Sequence, residues 1–304
     1  MIELTDIAYV RSGTADAAEA VRFATEIVGL QYMGAENGVH YLRGDKRHHC
    51  LAFVEGRSGV ISSGFSVADE AALRQAEEEL LLAGVPVERG TPEEARSRRV
   101  GAFISFSDPW GNRFDLVRDQ VLDARAIAFT RPAGITEFGH LCVDAPDVRE
   151  AYEWWHSLFN VRISDWIGDG AALTRIDEVH HKFAIFRGEN PGLCHMNFQV
   201  ESLDDVMRSW HFLEREGVEI EFGPGKHPTS TAIFVYFKGP EGLTYEYSYG
   251  VQLIDDATWR PRYFDPTVVE SLDMWAGPAK RPTSQPQLPA DGQPVLASAS
   301  RVDF

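Results

Sequence analysis

The strongest constraint on this 304-residue chain is that it is written twice. LTDIAYVRSGTAD at 4–16 lies over ITEFGHLCVDAPD at 135–147, and RHHCLAF at 47–53 over VHHKFAI at 179–185. GFSVADEAAL at 64–73 and DPWGNRFDLV at 108–117 find counterparts, in the same order, in NFQVESLDDV at 197–206 and GPEGLTYEYS at 239–248. The displacement stays between 131 and 133 positions, well beyond the roughly 20–50 residues of a solenoid unit. Two homologous domains are therefore expected, over 1–128 and 129–255, followed by a different segment over 256–304.

Each half repeats one order of elements. A strand (LTDIAYV, ITEFGHLCV) leads into a capped stretch with apolar residues three and four apart (TADAAEAVRFATEIVGL, APDVREAYEWWHSLF), the pattern of an amphipathic helix. Short strands follow, VHYLRG and HHCLAFVEG in one half, ALTRID and HHKFAIFRG in the other. A second helix runs to a glycine stop at Gly84 or Gly217, and two strands split by a Pro-x-Gly turn close the unit. Such units fit an α/β or an α+β pattern. The last segment carries seven prolines, from Pro261 to Pro294, and reads as a flexible Pro-rich tail after about residue 277. Its earlier part, TWRPRYFDPTVVESLDMW, has enough aromatic side chains to pack on the body or on another subunit.

Charge narrows the function. With 46 acidic against 29 basic residues the net charge is −17, which repels phosphate backbones and anionic lipid and argues against nucleic-acid or membrane partners. No apolar run reaches the roughly 20 residues of a membrane span, and MIELTDIAYV has no secretory pattern. Cys50, Cys142 and Cys194 form no CxxC pair and fit reduced thiols, so a soluble, cytoplasmic protein is expected. No GxGxxG, P-loop or GxSxG motif stands in a fitting context.

Chemistry should lie where the halves disagree. His140 aligns with Tyr9, His195 with Ser62, and Glu246 with Asp115, all on strands. Two imidazoles and one carboxylate at repeat-equivalent positions form the donor set of a divalent iron site with open positions. Any one of the three alone reads as an ordinary strand residue; their joint absence from the first half makes them a group. Alternation puts Glu246 on one face with Thr244 and Ser248, opposite Tyr245, Tyr247 and Tyr249. The pair His180–His181 is expected to open the strand before the one carrying His195, with only one ring facing the site. The sister pair His48–His49 shows that two adjacent histidines can be kept for packing alone. Leu173, Phe186 and Trp166 suit either an apolar pocket or the core.

The strand GHLCVD, the segments HHKFAIF and CHMNFQVESLDDV, and the run GKHPTSTAIFVYFKGPEGLTYEYSYG together resemble the type I extradiol ring-cleavage dioxygenases of the vicinal oxygen chelate superfamily. The spacing His227-x8-Tyr236-x9-Glu246 is the most specific part. The resemblance covers nearly the whole body and implies two tandem vicinal-oxygen-chelate domains, each of paired βαβββ modules, with the metal in the second. It further implies that His140, His195 and Glu246 hold Fe(II), or Mn(II) in its place, and that His181 is the acid–base group. His227 and Tyr236 would hydrogen-bond a catechol or its intermediates. The implied activity is cleavage of a catechol-type ring by O2 to a hydroxymuconic semialdehyde-type product, in a homo-oligomer. Thr229 and Cys194 depart from residues common in the biphenyl-type members, which bears on the substrate and leaves the metal triad intact. The competing expectations are a non-catalytic binding protein or a glyoxalase-like metal enzyme of the same superfamily.

Overall fold

The computed structural model describes residues 1–276 and a two-residue strand at Gln285–Pro286. The rest of the expected Pro-rich tail lies outside the described residues. In the first half the elements are β1 (Asp6–Thr14), α1 (Ala17–Arg22, prolonged by a π-turn over Phe23–Ile27), β2 (Gln31–Glu36), β3 (Val39–Arg43), β4 (Leu51–Glu55), β5 (Gly59–Ser66), α2 (Glu70–Leu82), β6 (Glu88–Arg89), α3 (Pro92–Ser97), β7 (Ala102–Ser107) and β8 (Arg113–Arg118). The second half follows with β9 (Ile135–Ala145), α4 (Val148–Leu158), β10 (Arg162–Ile167), β11 (Ala171–Arg175), β12 (Phe183–Arg187), β13 (Gly192–Val200), α5 (Leu203–Arg215), β14 (Ile220–Lys226), β15 (Ile233–Lys238) and β16 (Thr244–Tyr249). Beyond it β17 (Arg262–Phe264) pairs with β10.

The two sheets have one topology. The first runs β2-β3-β4-β1-β5-β8-β7-β6, and the second β14-β15-β16-β13-β9-β12-β11-β10, which is the same order read from the other end. In both, each βαβββ module places its first strand parallel to its last, and the two modules join through an antiparallel pair, β1 with β5 or β9 with β13. The fold is α+β, one of the two classes that the repeat allowed and the one that the resemblance implies.

Local chemistry explains the helices. The Asp147 side chain accepts from the N–H groups of Arg149 and Glu150 and starts α4, while Ser202 caps α5. Val148, Ala151 and Trp155 recur three and four apart on the buried face of α4. Trp155 is fully buried and packs edge-on against Phe114 and at a tilt against Phe159 and Phe183, joining the helix layer to both halves. Gly84 and Gly217 sit at φ 78° and 70°, the left-handed stop that glycine accommodates. Helix α3, the edge strands β2, β6 and β14, and β10, which lies between β11 and β17, add to the elements read from the sequence. Among the described residues no helix is long and apolar enough to cross a membrane.

Candidate metal centre

Three adjacent strands in the order β16-β13-β9 carry Glu246, His195 and His140, and β15 beside them carries Tyr236 directly opposite Glu246. The close approach of β9 and β13 needs Gly139, because a Cβ there would overlap the Asn197 side chain. A register shift between Leu193 and His195 puts a bulge at Cys194 and re-aims the following ring.

The donor atoms converge. His140 Nε2 lies 3.0 Å from His195 Nε2 and 2.9 Å from Glu246 Oε2, and His195 Nε2 lies 3.5 Å from the same oxygen. Two metal bonds of about 2.1 Å at right angles hold their donor atoms about 3 Å apart. All three residues are buried. Burial presses both imidazoles far down, to a pKa of about 3, so both are neutral and have a lone pair for ligation. Burial also raises the Glu246 carboxyl, and the neighbouring imidazoles only partly oppose it. Oε2 of Glu246 has no hydrogen-bond partner among the described residues.

The sister site shows what a buried carboxylate at this position requires. Asp115 on β8 is fully buried and accepts from Tyr9 Oη at 3.0 Å, Ser62 Oγ at 2.8 Å, Ser105 Oγ at 2.5 Å and Arg98 Nε at 2.8 Å. Burial works to raise this carboxyl too, but the Arg98 guanidinium and the hydroxyl donors bring it below its ordinary value. The first sheet thus contains its own cation. No Lys or Arg is paired with Glu246 among the described residues; three histidines face it, with Asn197 and Tyr236 as further hydrogen-bond partners. A divalent cation fits this donor set by charge, by donor type and by spacing.

The remaining predicted residues surround the triad. His227 donates from Nδ1 to the Leu272 carbonyl at 2.9 Å, which leaves Nε2 to accept from the Tyr236 hydroxyl at 3.1 Å. Tyr236 also stands edge-on to His195, with ring centroids 5.0 Å apart. Burial, then the Glu246 charge, raises the Tyr236 phenol well above its usual value, so it is a donor at neutral pH. The His181 ring lies 4.3 Å from that of His140. One expectation needs correction. His180 and His181 do not open a strand, because β12 begins only at Phe183. They occupy the bend before it, where alternation does not apply, so both rings are buried and their Nδ1 atoms lie 3.1 Å apart.

An uncharged wall adjoins the site. Cys142, Leu173, Ala184 and Cys194 pack together with Ile167 and Phe186, and the Phe186 ring lies 5.9 Å from that of His195. Trp166 is not part of it; that ring packs on Tyr152 under the Arg149 guanidinium. Sequence reading missed Cys142, whose Sγ lies 3.1 Å from His195 Nε2 and which forms a buried His-Cys-His cluster with His140 and His195. The signal was present, since residues 140 and 142 share one face of a strand. Asp165, which lies against His180, and Arg262, which pairs with Asp165, were missed as well.

This fold and this site define a protein class. The chain belongs to the Glyoxalase/Bleomycin resistance protein/Dioxygenase superfamily, whose pattern matches residues 6–116 and again 137–247. Within it the chain is similar to an iron-dependent extradiol dioxygenase of Rhodococcus jostii, 24% identical over 86% of this chain and 94% of the relative. It is also similar to a manganese-dependent 2,3-dihydroxybiphenyl 1,2-dioxygenase of Geobacillus genomosp. 3, 23% identical over 92% of this chain and 96% of that protein. The crystal structure of a halotolerant catechol dioxygenase superposes with a TM-score of 0.83 at 25% identity, covering 97% of this chain and 99% of that one.

Proposed function

We propose that this protein is a metal-dependent extradiol dioxygenase that opens a catechol ring with O2. The observation that carries the reading is the buried Glu246 carboxylate among neutral imidazoles, at the strand position where the sister sheet has Asp115 paired with Arg98. His140, His195 and Glu246 would hold Fe(II) or Mn(II), which when bound supplies a Lewis-acidic, redox-active centre with positions open to the catechol oxygens and to dioxygen. His181, beside His140, suits removal of a proton from a catechol hydroxyl and its later return. Tyr236 presents a phenol that stays protonated and donates to oxygen atoms on which negative charge builds. His227, fixed by Leu272, holds that phenol in place. The wall of Cys142, Leu173, Ala184, Cys194 and Phe186 excludes water and suits an aromatic ring with an apolar substituent better than a carboxylated one. The relatives named as extradiol dioxygenases support the same reading.

The test is anaerobic loading with Fe(II), and separately Mn(II), followed by catechol, 3-methylcatechol or 2,3-dihydroxybiphenyl in air. A yellow ring-opened product with one O2 consumed per catechol is expected with at least one metal. A protein that binds metal but consumes no O2 with any of these would point instead to a glyoxalase-like or non-catalytic member. A protein that binds neither metal would remove the reading altogether.

A further inference from the structure

Behind His181 runs a buried line of side chains that the chemistry above does not use. His180 and Asp165 are fully buried. His180 Nε2 lies 2.9 Å from Asp165 Oδ2, and His180 Nδ1 lies 3.1 Å from His181 Nδ1. Asp165 on β10 is held by Arg262 on β17, its register partner. The Arg262 backbone N–H and Nε donate to Oδ1 at 2.8 and 3.1 Å, and Nη2 donates to Oδ2 at 2.6 Å and to the Thr229 carbonyl at 2.5 Å.

Hydrogen-bond logic then fixes each proton. A carboxylate only accepts, so His180 Nε2 is the N–H. Burial, helped by the Arg262 and Arg175 charges, keeps His180 neutral despite Asp165, and a neutral imidazole has one N–H. His180 Nδ1 is therefore a lone pair, and His181 Nδ1 must be the donor to it. The lone pair of His181 is left on Nε2.

We infer that Asp165 is a positioning residue that sets, through His180, the tautomer of His181, presenting its Nε2 as a base. The inference rests on the reading of His181 as the acid–base group. In the sister pair, His48 and His49 Nδ1 are 3.4 Å apart, but neither ring pairs with a carboxylate among the described residues and His49 Nε2 has no partner there. Two adjacent histidines without an acid carry no such instruction. Arg262, which holds the acid, comes from beyond the repeat, so the segment after residue 255 completes a device that the duplicated unit lacks.

The isosteric change Asp165→Asn tests this. Arg262 aims two donors at Oδ1 and one at Oδ2, so the amide oxygen is better satisfied at Oδ1 and the NH2 faces His180 Nε2. His180 is then driven to its Nδ1–H form and His181 to its Nε2–H form, as in a catalytic triad whose aspartate becomes asparagine. Nitrogen-15 NMR of the diamagnetic Zn(II)-substituted protein should show His181 Nε2 unprotonated in the wild type and protonated in Asp165→Asn. In the Fe(II)-loaded enzyme with 3-methylcatechol, kcat should fall by about 100-fold or more with KM little changed. His180→Asn keeps an acceptor where Nδ1 stands and should stay within about tenfold of the wild type, one hydrogen bond's worth. His180→Leu removes that acceptor and should fall with Asp165→Asn. A wild-type His181 protonated at Nε2 overturns the inference. So does wild-type kcat in both Asp165→Asn and His180→Leu, or His180→Asn as slow as His180→Leu. If the wild type turns over no catechol, the proposed function fails while the NMR result still decides the tautomer.

Discussion

Glu246 is where stability and function oppose each other at the level of one residue. A carboxylate buried without a cation is costly, and Gln has the same shape without the charge. In chelator, Glu246→Gln is expected to unfold about 1–2 kcal/mol later than the wild type, because the desolvation penalty is gone. With Mn(II) at 100 times its dissociation constant the wild type should gain about 2.7 kcal/mol and the variant almost nothing. Urea titrations with and without metal measure both; a metal-free variant less stable than the wild type would show that Glu246 is compensated by something other than a cation. The triad was legible in the sequence because the duplication supplies its own control: Tyr9, Ser62 and Asp115 stand where His140, His195 and Glu246 do. Asp165 and Arg262 were not legible, since no period links them to His180 and only the pairing of β10 with β17 brings them together.

At the scale of elements, the two sheets solve one electrostatic problem in two ways. Arg98, at the C-cap of α3, reaches across Phe103 to Asp115 on β8. Replacing it with Met leaves Asp115 buried and unpaired, and a cost of about 3–5 kcal/mol is expected from urea denaturation. Arg98→Met combined with Asp115→Leu should recover part of that loss, because the unpaired carboxylate is gone while the buried Arg11 guanidinium beside it remains. A single variant within 1 kcal/mol of the wild type, a difference small against that cost, would show that the hydroxyls of Tyr9, Ser62 and Ser105 suffice. The order of elements along each half was legible from the repeat, whereas the order of strands within each sheet appears only in the structure. The bend that carries His180 and His181 was not, because its apolar neighbours continue directly into β12 and nothing local marks where alternation begins.

Across the whole molecule, the turn between β7 and β8 docks the first half on the second. Asn112 donates from Nδ2 to the Asp144 carbonyl and accepts from the Gly192 N–H, both at 2.9 Å. Asp108 holds Asn112 in place, accepting from its backbone N–H and its Nδ2. Burial raises the Asp108 carboxyl to about 6. The folded state therefore binds more protons than the unfolded chain between about pH 4 and 6, so this group's contribution is full below that window and declines as pH rises through it. Relative to Asp108→Asn, the wild type should lose up to about 3 kcal/mol between pH 4 and 7, read from urea midpoints of both proteins. A difference that does not change with pH would mean that Asp108 is not buried as described.

The Arg98 guanidinium also has a consequence for how the two halves depend on their surroundings. One sheet has its counter-charge covalently attached and stands whatever the metal supply, while the other, on the proposed function, would borrow its own from solution. Iron scarcity would then register on one half alone: hydrogen exchange in chelator should quicken in β9, β13 and β16 and leave β1, β5 and β8 unchanged. On the proposed function, duplication would divide the molecule into a half that endures metal starvation and a half that reports it.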